Sequence, residues 1–216
     1  MSNGKSIQTD IDILQKSFYH YTKKIKKFQI LSKKLVPDGL PPHTRSISWL
    51  VEEVILQKAK HTQLRKIAKV IQASSDIKVH DCEIILNGRK IFVNVKITQT
   101  SKEEGGNNDF NKALRIYQFL KNHPNARLFY VIIRFKFQNN VIRFINEPPT
   151  VIYIPWIRKF SVNSSNHHLQ ANYYASPEKR TTKKFLKELW KNKTVKEEME
   201  KEKERKKLKK QKKAKR

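Results

Sequence analysis

Asp81, Asn94 and Lys96 are the side chains whose types and spacing point to chemistry on a phosphate. A carboxylate with a second oxygen donor can hold Mg²⁺ against a phosphodiester, while a nearby ammonium orients water or stabilises the pentavalent transition state. Their convergence depends on a hairpin. Cys82 to Leu86 and Lys90 to Ile97 are β-branched runs joined across Asn87-Gly88, a pair suited to a tight two-residue turn. With those two residues at the turn, Leu86 faces Arg89, Ile84 faces Ile91, Cys82 faces Val93 and Asp81 faces Asn94. One side then carries Cys82, Ile84, Leu86, Ile91, Val93, Val95 and Ile97, apolar except for the turn-proximal Arg89, so it must meet the core. The other carries Asp81, Glu83, Lys90, Asn94 and Lys96, with the Asp81 and Asn94 Cβ atoms about 5 Å apart. The same alternation also fits an ordinary solvent-exposed hairpin face.

The elements that must position this hairpin are legible as changes of period. Thr9 or Asp10 is placed to cap a helix whose apolar residues Ile11, Leu14, Phe18, Tyr21, Ile25, Phe28 and Leu31 recur at three and four, predicting a helix to about Leu35. Val36 to Ser46, rich in proline, reads as a loop, and Trp49 to Lys58 and His61 to Gln72 read as helical. After the hairpin, Asp109 is expected to cap a helix ending near His123-Pro124. Strands follow at Leu128 to Phe137, Val141 to Ile145 and Val151 to Ile154, the first two turning at Asn139-Asn140. Ser176-Pro177 is expected to open a last helix, Glu178 to Lys191. The order predicts one α/β domain over residues 1–191, a mixed β-sheet flanked by helices.

Charge narrows the partner. The 216 residues hold 47 Lys+Arg against 19 Asp+Glu, a net charge of +28, which suits a polyanion and first of all nucleic acid. Residues 192–216 alone hold 13 basic and 5 acidic residues, and read as a Lys-rich C-terminal tail, a solvated arm drawn to phosphates or one serving solubility. The lone Cys82 can make neither an intrachain disulfide nor a multi-cysteine zinc site. The longest apolar run, Val151 to Ile157, falls far short of the ~20 residues of a bilayer span, and Met1 to Asp12 shows no apolar signal core. A soluble, cytoplasmic protein with no membrane partner is the expectation.

Asp81, a gap of twelve residues, and then Asn94-Val-Lys96 ending a hydrophobic strand resembles the PD-(D/E)XK signature of metal-dependent nucleases. The stretches Asp81-Cys-Glu-Ile-Ile-Leu, Ile91-Phe-Val-Asn-Val-Lys-Ile-Thr and Val151-Ile-Tyr-Ile-Pro-Trp-Ile-Arg-Lys-Phe-Ser-Val, with a helix between, are similar in order and spacing to blunt-cutting type II restriction endonucleases of the HincII and EcoRV group. The resemblance spans about Trp49 to Leu189. It implies a restriction-endonuclease-like fold, a homodimer that cuts both strands of a short palindromic site in double-stranded DNA with Mg²⁺, and a cognate DNA methyltransferase in the same cell. Asp81 would be the metal-binding acid and Lys96 the catalytic lysine. Asn94 stands where that pattern has Asp or Glu, so a second anion would have to come from Glu83 on the same face, or from Glu52 or Glu53 on the preceding helix. Otherwise the chain is a weakened or inactive nuclease fold that still binds DNA.

DNA contacts are expected from two polar loops. In Thr98 to Asn108, Gln99, Asn107 and Asn108 offer amides that can read adenine edges, and Lys102 a charge for phosphate. In Asn163 to Ala175, His167 and His168 are candidate groove or phosphate contacts, and Arg180, opening the last helix, a phosphate anchor.

Overall fold

In the computed structural model, residues 2–30, 50–55, 69–72, 79–86, 88–99 and 108–214, with 34, 47 and 57, are described. The chain forms two compact units, Met1–Gly105 with Ala126–Ile154, and Gly106–Asn125 with Pro155–Arg216. The architecture is α/β with a mixed sheet and helices.

The first unit is built on strands β1 (Lys27–Gln29), β2 (Lys69–Gln72), β3 (Cys82–Leu86), β4 (Arg89–Gln99), β6 (Arg127–Gln138), β7 (Val141–Phe144) and β8 (Thr150–Tyr153). They pair in the order β1-β7-β6-β4-β3-β2, with β8 also on β6. β4 and β6 run parallel, from Ile91 opposite Arg127 to Gln99 opposite Phe135. The other edge of β6 is shared, by β8 along Phe129 to Ile132 and by β7 along Phe135 to Gln138. Residues 128–133 of β6 are all buried, as a strand covered on both faces must be, and their unbroken apolar run reflects it. The two hairpin turns behave as their residues require: Gly88 has φ +74°, and Asn139 and Asn140 have φ +52° and +61°. The β3–β4 register is the one the turn predicts, Leu86 opposite Arg89 through Cys82 opposite Val93.

Helix α1 (Ser2–Ile25) lies by β7 and β8 and buries Leu14, Phe18 and Tyr21. It starts well before the expected cap and stops ten residues before Leu35. Asp10 is not a cap: it is fully buried inside the helix, where Arg89 and Arg127 pair with its carboxylate. Two guanidiniums from the starts of β4 and β6 outcompete the local capping role. At the other end, Lys26 takes φ +53°, which ends the helix and turns the chain into β1 against β7. Lys69–Gln72, expected to be helical, is an antiparallel strand on β3, its β-branched Val70 and Ile71 suiting a sheet edge. Residues 51–55 are helical as expected, and the loop at residues 36–46 lies outside the described residues.

The second unit holds a three-stranded antiparallel sheet, β5 (Asn108–Lys112), β10 (His168–Ala171) and β9 (Phe160–Val162), in the order β5-β10-β9. With it are helices α2 (Ala113–Asn122), α3 (Thr182–Trp190) and α4 (Lys193–Ala214). Asp109 is a strand residue and not a helix cap, because its carboxylate accepts from Asn166 (3.0 Å) and Gln170 (2.7 Å). The next helix begins four residues later, uncapped by the Lys112 side chain. α3 begins at Thr182, later than Ser176-Pro177 suggests, since Thr181 supplies the cap by accepting from the Lys184 N–H. α4 occupies most of the segment expected to be a solvated arm, and its Val195 is fully buried. Among the described residues, no helix is long and apolar enough to cross a membrane.

Candidate active site

The site follows from an overhang. β3 begins at Cys82, opposite Val93, while β4 continues from there to Gln99, so the N–H groups of Val95 and Ile97 lie beyond the start of their partner strand. Orphaned backbone donors near a core must find acceptors. The Val95 N–H donates to Asp81 Oδ2 at 2.7 Å, and the Ile97 N–H donates to the carboxylate of Glu52. Two acids are thus fixed on same-edge amides about 7 Å apart along one strand.

Asn94 immediately precedes Val95 on β4 and is 2% exposed. An ordinary exposed hairpin face is therefore ruled out at this position. Its Nδ2 donates to Asp81 Oδ1 (3.2 Å) and lies 3.5 Å from the Val79 carbonyl. Two acceptors on one side fix the amide with its nitrogen toward them. Its Oδ1 finds no donor among the described residues, a buried acceptor left open. Lys96 is half-buried on the same strand face.

Glu52 rides on the helical stretch at residues 51–55, which α1 holds in place: the Tyr21 hydroxyl, whose pKa burial raises, donates to the Ile55 carbonyl at 3.0 Å. Burial pushes the Glu52 carboxyl up to about 7, with Lys96 opposing that rise, Asp81 adding to it and the Ile97 N–H opposing it again. Glu52, Asp81 and Lys96 therefore feel one another's charge. Helical phase accounts for Glu52 rather than Glu53 lying toward Asp81 and Lys96. Val51 and Ile55 mark the buried side; Glu52 lies about 60° from Ile55 around the axis and Glu53 about 160°. Glu53 instead accepts from Gln57 at 2.5 Å on the exposed side. Glu83, the other expected acid, is engaged by Lys90 (2.8 Å) and His80 (3.4 Å). Both carboxylates thus have partners other than Asp81, Asn94 and Lys96.

Asp81, Glu52 and Asn94 Oδ1 offer oxygen donors of the kind Mg²⁺ takes, two of them anionic. The open, buried Asn94 oxygen and the elevated Glu52 pKa both fit a divalent ion, which would supply the donor's missing partner and favour the ionised carboxylate. Among the described residues, no three His, Cys, Asp or Glu side chains cluster as a metal centre.

The expected DNA contacts fare differently. Gln99 is the last residue of β4, opposite Phe135, and Asn108 opens β5 opposite Ala171; Lys102 and Asn107 lie outside the described residues. His167 takes φ +59°, and its Nδ1 pairs with Glu198 at 2.7 Å; His168 Nδ1 lies 3.5 Å from Asp109. Arg180, expected as a phosphate anchor, is engaged within the protein. It is 9% exposed, donating to the carbonyls of Pro155 (2.7 Å) and Ile157, pairing with Glu188 (2.7 Å) and stacking against Phe160 and Phe185. Its position at the head of a helix suggested an anchor. The carbonyls that claim it lie more than twenty residues earlier, and no local pattern announces them.

Compared with protein-family models and with curated proteins, the chain matches none.

Proposed function

We propose that this protein is a Mg²⁺-dependent endonuclease of duplex DNA with a restriction-endonuclease-like fold, of the site-specific type II kind. The observation that carries the reading is the anchoring of Asp81 and Glu52 on the Val95 and Ile97 amides beside Lys96. Glu52 supplies the anion that Asn94 lacks. A divalent ion held by Asp81, Glu52 and the Asn94 oxygen would act as a Lewis acid on the phosphate. Lys96 would stabilise charge developing on the phosphoryl oxygens and orient the attacking water. The net charge of +28 suits the polyanionic substrate. Cutting both strands of a palindrome calls for a homodimer, and a host carrying such an enzyme needs a methyltransferase to protect its own sites.

One observation favours a second reading, a DNA-binding protein that has lost the chemistry: the Asn94 amide donates to Asp81 and so occupies part of the oxygen a metal would need. Digestion of large unmethylated phage DNA with Mg²⁺ or Mn²⁺, using the native chain, Asn94→Asp and Glu52→Gln, separates the two. Discrete fragments from the native chain, lost in Glu52→Gln, support the nuclease with Glu52 as its second acid. Fragments only from Asn94→Asp would show that the amide silences the site. No cutting by any form, with DNA binding retained, would establish the non-catalytic reading.

A further inference from the structure

α4 is two helices in one electrostatically. Its first half is tied into the second unit: Val195 is fully buried, Glu198 pairs with His167 and Glu202 accepts from Gln118 at 2.5 Å. Residues 193–204 carry four cations and five acids, so this half is close to neutral. Residues 205–212 carry six cations, Arg205, Lys206, Lys207, Lys209, Lys210 and Lys212, and no acid, and all eight residues are exposed.

The six cations are not on one side. At 100° per residue they span an arc of about 220°, leaving a strip of about 140° with Leu208 and Gln211. Such an arc is a poor match to a flat anionic surface and a good match to a trough with negative walls on both sides. A membrane-surface helix needs an apolar face, and Leu208 is this segment's one exposed large hydrophobic residue. A helix with its side chains is about 10–12 Å across, the B-form major groove is about 12 Å wide, and its two rims are rows of phosphates. The major groove of A-form RNA is too deep and narrow to admit it.

We propose that the distal half of α4, from Arg205, lies in the major groove of B-form DNA as a sequence-independent clamp on the phosphates of both rims. This rests on duplex DNA being the partner and is independent of whether the chain cuts it. The clamp is held by the anchored half, so the whole segment after residue 191 is not dispensable: only its distal part is purely a DNA-binding element.

The test uses the full chain and a variant with all six cations changed to Gln, which retains helix-forming residues. Binding to a 20-base-pair DNA duplex and to an RNA duplex of equal length is measured in EDTA across a salt series. The expected result is that the six substitutions lower DNA affinity at least thirty-fold at 0.1 M salt and flatten the slope of log affinity against log salt by about 3. RNA affinity should change less than three-fold. An unchanged DNA slope would overturn the clamp while leaving the DNA reading intact, and equal losses on RNA and DNA would overturn the groove assignment. Failure of the full chain to bind any DNA duplex would overturn the DNA reading itself, and the clamp with it. Retained near-ultraviolet signal and unfolding midpoint in the variant separate these outcomes from misfolding.

Discussion

Two polar regions looked equally chemical in the sequence and turn out to be different in kind. In the first unit, Asp81, Asn94 and Glu52 are held by backbone amides and carbonyls of strand β4 and its neighbours, and the buried Asn94 Oδ1 has no donor among the described residues. In the second unit, the amides and imidazoles of residues 163–170 are engaged with one another and with Asp109 and Glu198. Asn163 Oδ1 accepts from the Ser165 N–H and Oγ, and Asn166 Oδ1 accepts from the His168 N–H. Backbone anchoring leaves side-chain capacity for a ligand. Mutual side-chain pairing uses most of that capacity to shape a turn, with the buried Glu198 Oε2 and His168 Nδ1 in that network lacking a hydrogen bond among the described residues. A crowd of polar residues is therefore weak evidence of a site until the backbone accounting is done.

The largest expected effect tests the first region. Lys96→Ala should slow cleavage about 10³-fold, about 4 kcal/mol on the barrier, while DNA affinity stays within a few-fold. Single-turnover cleavage set against equilibrium binding in EDTA reads both quantities. Equal loss of binding and cutting would make Lys96 a phosphate contact and dissolve the contrast between the regions.

Next in size is a residue moved from one category to the other. Arg180→Ala should lower stability by about 3–4 kcal/mol in urea unfolding, because Glu188 and two carbonyls lose a buried partner. Arg180→Lys should not restore it, since an ammonium cannot satisfy three directions in one plane. If Arg180→Ala instead left stability unchanged and weakened DNA binding ten-fold, the guanidinium would face DNA after all.

Glu52 gives a pH signature. A carboxyl raised from 4.5 to about 7 keeps its proton longer when folded than when unfolded. Its contribution therefore favours folding at low pH and is lost as pH rises from about 4.5 through about 7, where the folded chain must carry a buried charge. Between pH 5 and pH 8 without metal, the native chain should lose up to about 3 kcal/mol more stability than Glu52→Gln, and Mg²⁺ should recover part of it. Equal pH dependence in the two proteins would mean that Glu52 is solvated and is not the second acid.

The hairpin was legible from its residues because three local signals agreed: Asn87-Gly88, β-branched alternation on both arms, and the apolar set that register placed on one side. Asp10 and Asp109 misled for the opposite reason. Each has the residue type and position of a helix cap, but long-range partners claim the carboxylate, Arg89 and Arg127 for one and Asn166 and Gln170 for the other. Glu52 could have been separated from Glu53 by the phase of Val51 and Ile55. The β4 overhang was written in the unequal arms of the hairpin, Cys82 to Leu86 against Lys90 to Ile97, and the second strand is longer still at eleven residues. What no local pattern contains is which distant backbone group meets Arg180.

The smallest effect makes the sharpest test of the second region. His168 is half-buried and its Nδ1 stands 3.5 Å from an Asp109 carboxylate that also accepts from Asn166 and Gln170. An ion pair that long and that exposed contributes about 0.5 kcal/mol or less. His168→Ala should therefore shift the unfolding midpoint only slightly, and it should change DNA affinity less than two-fold. A groove contact would behave otherwise, costing about 1–3 kcal/mol and relaxing the preference for one base. Titration of cognate and single-substituted duplexes with His168→Ala distinguishes the two. A ten-fold loss confined to one base position would return this turn to DNA recognition, and the Asp109 network would then be the scaffold that aims it.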